Sequence, residues 1–323
     1  MNSILTGGPD AGAILQAVQR IGPWVNKTPV LTSRTINRMF GAEIFMKCEN
    51  FQKVGAFKAR GATNAVLSLE KSLLQCGVAT HSSGNHAQAL AWAASLVNAR
   101  AYIVMPSDSS KIKIAAVKDY GGIITFCEPN LASRETTLAR VIGETGATEI
   151  HPYNNEQIIA GQATAALEFL EETGTLDILM APVGGGGLLS GTSLSAHYFY
   201  PGTKVIAAEP DQAKDAYLSF TSRSFIPSLH PDTIADGLRT SLGSITFPII
   251  LEHVHEIVTV REESIVKAMR FLWERMKIIV EPSSAVPFAA IMEGKIETAG
   301  KRIGIILSGG NVDLETLPWM HHE

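Results

Sequence analysis

The stretch Glu49-Asn50-Phe51-Gln52-Lys53-Val54-Gly55-Ala56-Phe57-Lys58-Ala59-Arg60-Gly61-Ala62 decides how this chain is read. It runs into Thr63-Asn64-Ala65-Val66-Leu67-Ser68-Leu69, which reads as helix. Lys58 therefore sits near a helix N-terminus, just after an aromatic and close behind a glycine. The positive end of a helix dipole is an unfavourable place for a cation. A local rule broken in this way is often a functional site. Dipole and burial both favour the neutral amine. A neutral lysine amine can attack a carbonyl and form a Schiff base. An exposed lysine in a first helical turn is the competing reading, and this stretch alone leaves it open.

Outward from Lys58 the chain alternates between strand and helix. Before it lie a helix at 11–21, an extended entry at 28–33, a short helix at 35–39 and a strand at 44–48. After it come strands at 78–80, 101–105 and 123–126, each followed by a helix, at 86–96, 111–120 and 134–144. That βαβ run predicts a parallel sheet. The same alternation resumes with a helix at 161–172, a strand at 178–183, a helix at 188–198 and a strand at 204–209. Helices at 262–277 and 284–293 and a strand at 302–307 complete it. No repeat or low-complexity linker separates the blocks. The expected fold class is α/β, two three-layer domains with mainly parallel sheets. A small mobile domain, 77–151, is expected to be inserted in a large one made of 1–76 and 152–323.

Several strand ends carry residues suited to chemistry. Val183-Gly184-Gly185-Gly186-Gly187-Leu188 follows a strand and opens a helix. Its glycines let successive N–H groups converge on an anion, and the helix N-terminus adds positive potential. It has neither a Walker lysine nor GxGxxG spacing, so a phosphate cradle fits better than a nucleotide site; a close-packed turn is the alternative. Ser82-Ser83-Gly84-Asn85-His86 also opens a helix and could hold a carboxylate, or simply cap that helix. Ser308, before Gly309-Gly310, ends a strand where ligands bind in open α/β sheets. Glu209-Pro210-Asp211-Gln212-Ala213-Lys214-Asp215 sits just past another strand; its carboxylates and backbone oxygens suit a hard divalent cation, or form a solvated acidic loop. Arg134 is either a carboxylate clamp or a surface ion-pair partner. His86, His151 and His197 show no metal-ligand spacing.

The bulk numbers narrow the class. The chain has 323 residues, 46% of them hydrophobic and 18% charged, enough for a sizeable core. A net charge of -4 gives no reason to expect nucleic acid or an anionic membrane as a partner. Cys48, Cys76 and Cys127 are widely spaced, which favours a reducing, cytoplasmic compartment over a disulfide framework. Neither a secretory signal nor a membrane span is expected. His321-His322-Glu323 reads as a frayed tail.

A Schiff-base lysine, a phosphate cradle and a strand-end serine together fit pyridoxal phosphate. The chain resembles the fold-type II pyridoxal-phosphate enzymes, in the serine racemase and serine/threonine dehydratase branch. The matching stretches are GAFKARGA (55–62), HSSGNHAQAL (81–90), IAGQATAALE (159–168), PVGGGGLLSG (182–191), AAEPDQAKD (207–215), TIADGLRTSLG (233–243), ERMKIIVEPSSA (274–285) and LSGGNVDL (307–314). The resemblance runs from about Thr28 to Asp313. It implies that Lys58 holds the cofactor as a Schiff base and removes the substrate α-proton. Phe57 would flank the ring, Asn85 would bond its phenolic oxygen, Gly184, Gly185, Gly186, Gly187 and Leu188 would bind its phosphate, and Ser308 would face its nitrogen. Ser82, Ser83, Gly84, Asn85 and His86, with Arg134 and Ser241, would meet the substrate. Glu209, Ala213 and Asp215 would bind Mg²⁺, or Mn²⁺ or Ca²⁺ in its place.

Ser83 weighs on the reaction. Racemases of this branch carry a serine here as the proton carrier on the second face, whereas many threonine dehydratases carry alanine. Some relatives with the serine act on 3-hydroxyaspartate instead. The expected activity is serine racemisation with serine/threonine β-elimination. The alternatives are a threo-3-hydroxyaspartate or threonine dehydratase with little racemase activity, and a non-catalytic pyridoxal-phosphate binder. The resemblance also implies a homodimer, admits ATP as an effector, and leads us to expect no C-terminal regulatory domain.

Overall fold

Parallel strands buried on both faces need near-continuous apolar runs, and this chain supplies them in Ile178-Leu179-Met180-Ala181-Pro182 and Ile303-Gly304-Ile305-Ile306-Leu307, all buried. The structure is a computed structural model that describes residues 8–82 and 84–320, so Ser83 and the 321–323 tail lie outside the described residues. The strands are β1 (Val30–Thr32), β2 (Glu43–Cys48), β3 (Val78–His81), β4 (Ala101–Pro106), β5 (Ile123–Cys127), β6 (Thr148–Glu149), β7 (Ile178–Pro182), β8 (Lys204–Pro210), β9 (Glu256–Val260) and β10 (Arg302–Leu307). They form a six-stranded sheet in the order β1-β2-β10-β7-β8-β9 and a four-stranded sheet in the order β5-β4-β3-β6. Every pairing is parallel except β1 with β2.

Helices cover the sheets. One core lies between the six-stranded sheet and helices Glu262–Met276 and Pro282–Met292. A second core on the same sheet is closed by Glu156–Thr173 and Gly187–Phe199. The four-stranded sheet packs on Asn85–Ser95, which in turn packs on the helix that Lys58 begins, Lys58–Leu67. That helix is buried from Ala59 to Val66.

The structure adds elements to the sequence reading: helices Lys71–Cys76, Asp215–Ser222 and Thr246–His253, and strands β6 and β9. The β-branched run Ile257-Val258-Thr259-Val260 is an ordinary strand signal. Helix Glu156–Thr173 starts five residues earlier than position 161, because Asn155 caps it by accepting from the Ile158 N–H.

Glycines let two buried helices touch backbone to backbone. A Cβ added at Gly161 would lie 2.6 Å from the Gly61 Cα and 2.7 Å from the Arg60 carbonyl. Neither backbone atom can yield as a flexible side chain would. We predict that Gly161→Ala costs about 1–3 kcal/mol by overpacking. A urea midpoint equal to that of the wild type would show that the helices separate freely.

Candidate active site

The lysine turn is pinned at both ends. Before it, Glu49 accepts two bonds from Arg60, at 2.8 Å from Nε and 2.8 Å from Nη2. Within it, Phe57 N–H donates to the Ser308 carbonyl at 3.0 Å and Gly310 N–H to the Gly55 carbonyl at 2.9 Å, with a bridge between Ala56 and Gly309. These bonds dock the turn on the end of β10. Val54 has a φ of 54°, a left-handed conformation that β-branched residues avoid. Lys58 is then the first residue of its helix, with no side-chain cap before it. Its amine donates to the Pro152 carbonyl at 2.8 Å and lies 5.2 Å from the centre of the Phe57 ring. Burial lowers its pKa to about 8, against the opposing pull of Glu281.

The glycine turn leaves the end of β7 and opens helix Gly187–Phe199. Gly186, at φ 86°, occupies the cap position and supplies no side-chain cap. The N–H groups of the first helical turn therefore point out as donors for an anion. Close neighbours explain the lack of side chains. A Cβ at Gly184 would meet Leu238 Cα at 2.8 Å, one at Gly185 the Tyr153 ring at 2.3 Å, and one at Gly187 Tyr153 Cβ at 2.9 Å. Lys58 and the glycine turn thus converge on the same dipeptide, Pro152-Tyr153. Leu188 is buried just beyond the turn, and Ser308, 3% exposed, ends β10 beside Phe57.

The helix after β3 starts near Lys58, since His86 lies in the field of its amine. Asn85 begins its helix and donates from Nδ2 to both carboxylate oxygens of Glu281, at 2.9 and 3.1 Å. Asn311 Nδ2 donates to Asn85 Oδ1 at 2.9 Å, and Asn311 N–H to Glu281 Oε2 at 3.2 Å. Because a carboxylate only accepts, this arrangement fixes the Asn85 amide. Burial and the nearby Asp236 raise the Glu281 pKa to about 7. His86 is buried and kept neutral, its Nε2 on the Ile150 carbonyl at 3.0 Å, while its Nδ1 has no partner among the described residues. Ser82 Oγ accepts the Gly84 N–H at 3.3 Å.

The remaining sequence candidates fall around this centre. Arg134 lies on helix Leu131–Thr145 in the field of His81, and its Nε is buried without a partner among the described residues. Ser241 Oγ accepts the Ser228 N–H at 2.7 Å, a local bond that leaves its own proton free to donate. Glu209, at the end of β8, accepts the N–H groups of Ala216 (2.9 Å) and Tyr217 (2.7 Å). Both Asp215 oxygens are buried without a partner among the described residues, and burial raises its pKa to about 6. That orphaned carboxylate beside buried Glu209 fits a cation. No group of three or more His, Cys, Asp or Glu gathers among the described residues, so backbone oxygens such as that of Ala213 would have to complete the ligand set.

Sequence reading missed Glu281, Asn311, Pro152, Tyr153 and His151 as parts of this site. Glu281 carried a faint signal, an acid followed by proline at a helix start. The others are defined only by tertiary contact.

The residues fit pyridoxal phosphate: an enclosed amine, a turn of free N–H donors, and a serine at the end of the strand between them. A family described as pyridoxal-phosphate dependent enzyme, PALP, matches residues 21–309. The chain is 49% identical over 306 residues to a β-hydroxyaspartate dehydratase of Paracoccus denitrificans, covering 95% of this chain and 97% of that one. It superposes on the crystal structure of a serine racemase from Dictyostelium discoideum with a TM-score of 0.90 and 48% identity, covering 94% of this chain and 99% of that one. It superposes on a maize serine racemase with a TM-score of 0.93 and 44% identity, covering 96% of each.

The raised pKa of Glu281 has a measurable sign. Folding moves it from 4.5 to about 7, so the folded state binds this proton more tightly than the unfolded chain. The contribution of Glu281 to stability is thus fully present below 4.5 and is lost as pH rises through about 7. We predict that the stability difference between wild type and Glu281→Gln falls across that window. A difference independent of pH in urea titrations would contradict the assignment.

Proposed function

The chain belongs to the pyridoxal-phosphate-dependent enzyme family, and from that premise we propose that it interconverts L- and D-serine and eliminates water from serine and threonine to give 2-oxo acid and ammonia. One observation carries the reading: the Lys58 amine and the glycine turn meet at Pro152-Tyr153. Bound there, the cofactor supplies an electron sink for the charge left on the substrate α-carbon. The residues of the chain do the rest. The helix N-terminus at Gly187 receives the phosphate. Ser308 offers a neutral hydroxyl to the ring nitrogen, so it does not force a proton onto the ring as a carboxylic acid would. Asn85, held by Glu281 and Asn311, presents its amide to the phenolic oxygen. The turn at Ser82, Gly84 and His86 receives the substrate carboxylate. Lys58, its pKa lowered by burial to about 8, holds a minor but ready fraction of neutral amine near physiological pH and takes the α-proton on its face. Ser83 returns a proton from the opposite face in racemisation. In elimination, the β-hydroxyl leaves instead.

A second reading, elimination from 3-hydroxyaspartate, is favoured by Arg134, whose buried Nε has no partner among the described residues. A substrate with a second carboxylate would supply one. The relative from Paracoccus denitrificans, at 49% identity, is described as a β-hydroxyaspartate dehydratase. Both readings share four further proposals. A divalent cation binds Glu209, the Ala213 carbonyl and Asp215. Residues 77–151 close over the substrate as a small domain. The chain works as a homodimer. An ATP effector would take the cavity of about 550 Å³ lined by Gln88, Ser110, Lys113, Asp236 and Asn311. Its Lys113 is paired with Asp236, so a phosphate would have to exchange for that carboxylate, and Asn311 links the cavity to Asn85 and Glu281.

Lys58→Ala is expected to abolish racemisation and elimination together. Ser83→Ala is expected to suppress racemisation while elimination from L-serine survives; equal loss of both, measured by chiral product analysis, would sink the two-base assignment. A panel of L-serine, D-serine, L-threonine and 3-hydroxyaspartate separates the substrate readings. Arg134→Leu should lower kcat/KM for 3-hydroxyaspartate about ten- to a hundredfold more than for serine, the weight of one hydrogen bond to a charged group. Parallel losses would assign Arg134 a structural role. Repeating the panel with a chelator, with Mg²⁺ restored and with ATP tests the cation and the effector: no change in activity or melting temperature would remove them.

A further inference from the structure

The cofactor's ring is rigid, so whatever holds its two ends must be rigid too. In this fold the two ends are served by residues far apart in sequence, Lys58 and Gly184 to Gly187, yet one short strap touches both. His151 closes the strap on itself, its Nδ1 accepting the N–H of Asn154 at 2.9 Å and of Tyr153 at 3.3 Å. Asn154 then anchors it to the distant turn that opens helix Thr246–His253, accepting the Ile245 N–H at 2.8 Å and donating to Ser244 Oγ at 3.1 Å. Between these anchors, the Pro152 carbonyl holds the Lys58 amine at 2.8 Å. The Tyr153 ring lies where the missing side chain of Gly185 would go, and Tyr153 Cβ lies where that of Gly187 would go. The ring is itself fixed edge-to-face on His151, with centroids 4.6 Å apart at 89°.

We propose that Tyr153 is a positioning residue for the cofactor phosphate: its ring braces the glycine turn, and the adjoining Pro152 carbonyl sets the Lys58 amine at a fixed distance from that turn. The inference rests on the pyridoxal-phosphate reading and extends it to a residue outside the phosphate ligands. Proline and tyrosine are low-entropy choices for such a part. Proline has a locked φ, and an aromatic ring offers a large flat contact with few rotors. The ring, not the hydroxyl, makes the contact: a Cβ at Gly185 would meet Tyr153 Cδ1, Cε1 and Cγ at 2.3–2.4 Å. The loss of the brace should therefore be felt by a ligand that uses the cradle and not by one that reaches only Lys58.

Pyridoxal, which carries the aldehyde but lacks the phosphate, is that second ligand. Full-length wild type, Tyr153→Phe and Tyr153→Ala are dialysed against graded pyridoxal phosphate or pyridoxal, and the visible Schiff-base absorbance is read. Tyr153→Ala is expected to weaken pyridoxal phosphate at least about tenfold, the order of one lost aromatic contact, and pyridoxal by less than about twofold. Tyr153→Phe should match wild type with both. The proposal is overturned if the alanine variant binds pyridoxal phosphate as wild type does, if both ligands weaken equally, or if phenylalanine fails as alanine does. Circular dichroism checks folding, and Tyr153→Leu takes the place of an alanine variant that does not fold, with the same expectations. A wild type that forms no band with either ligand would instead defeat the underlying pyridoxal-phosphate reading.

Discussion

A buried group of four charges holds the catalytic turn in place. Lys47, Glu49 and Arg60 are all but inaccessible, and Glu168 joins them from helix Glu156–Thr173. Two cations face two carboxylates. Arg60 forks onto Glu49 and reaches Glu168 at 3.1 and 3.2 Å, Lys47 bonds Glu168 and the Thr28 carbonyl, and Thr28 Oγ1 donates to Glu49 at 2.6 Å. Such a group is weak evidence for net stability, since desolvation offsets much of the attraction. Its geometry is demanding, however, because removing any one partner strands a buried charge. Glu49 and Arg60 bracket the turn, so this demand passes directly to Lys58. The left-handed Val54 between them is held in a disfavoured conformation by bonds the turn cannot easily break.

The rest of the site is assembled by strand registry. Leu307 pairs with Cys48, and Ala208 with Pro182, so β2, β10, β7 and β8 end at nearly the same level. The lysine turn, Ser308, the glycine turn and Glu209 are what follow or finish those four strands. Parallel pairing makes all four carboxyl ends face one way, which is where ligands bind in open α/β sheets. Residues scattered over the whole chain thus need no long-range recognition beyond correct strand order. The glycines complete the arrangement by removing the side chains that would keep Tyr153 and Leu238 from the turn.

This division explains what the sequence made legible. Lys58, the four glycines and Ser308 announce themselves because each breaks or satisfies a local backbone rule: a cation at a helix start, a run without Cβ atoms, a strand cut short by glycine. The alternation of elements likewise yields parallel sheets. Strand order does not follow from such patterns. β10, last in the chain, lies between β2 and β7, and nothing in its apolar run distinguishes a centre from an edge. Tyr153, and Glu281 beyond its faint helix-start signal, escape such patterns for a related reason. Glu281 meets Asn85 across 196 residues, and Tyr153 matters through a glycine neighbour that no local pattern connects to it. The dipole argument for Lys58 reached the right direction, yet burial is the dominant cause of its lowered pKa.

Burial also shapes the electrostatics of the cleft as a whole. His81, His86 and His151 all have their pKa lowered, each chiefly by burial, and the ring of His151 falls to about 4. Near neutral pH they are dipoles and hydrogen-bonding groups, not cations, so they do not compete with an amino acid's own ammonium. The remaining charges closest to the chemistry are Lys58 and Glu281, whose pKa values of about 8 and about 7 lie close together. A permanently ionised Glu281 would draw a proton onto Lys58 and silence it as a base. Because Glu281 is itself desolvated, and set near Asp236, it spends part of its time protonated at neutral pH and exerts only part of that pull. The same enclosure that strips water from the amine therefore also weakens the one carboxylate that would hold it as an ammonium.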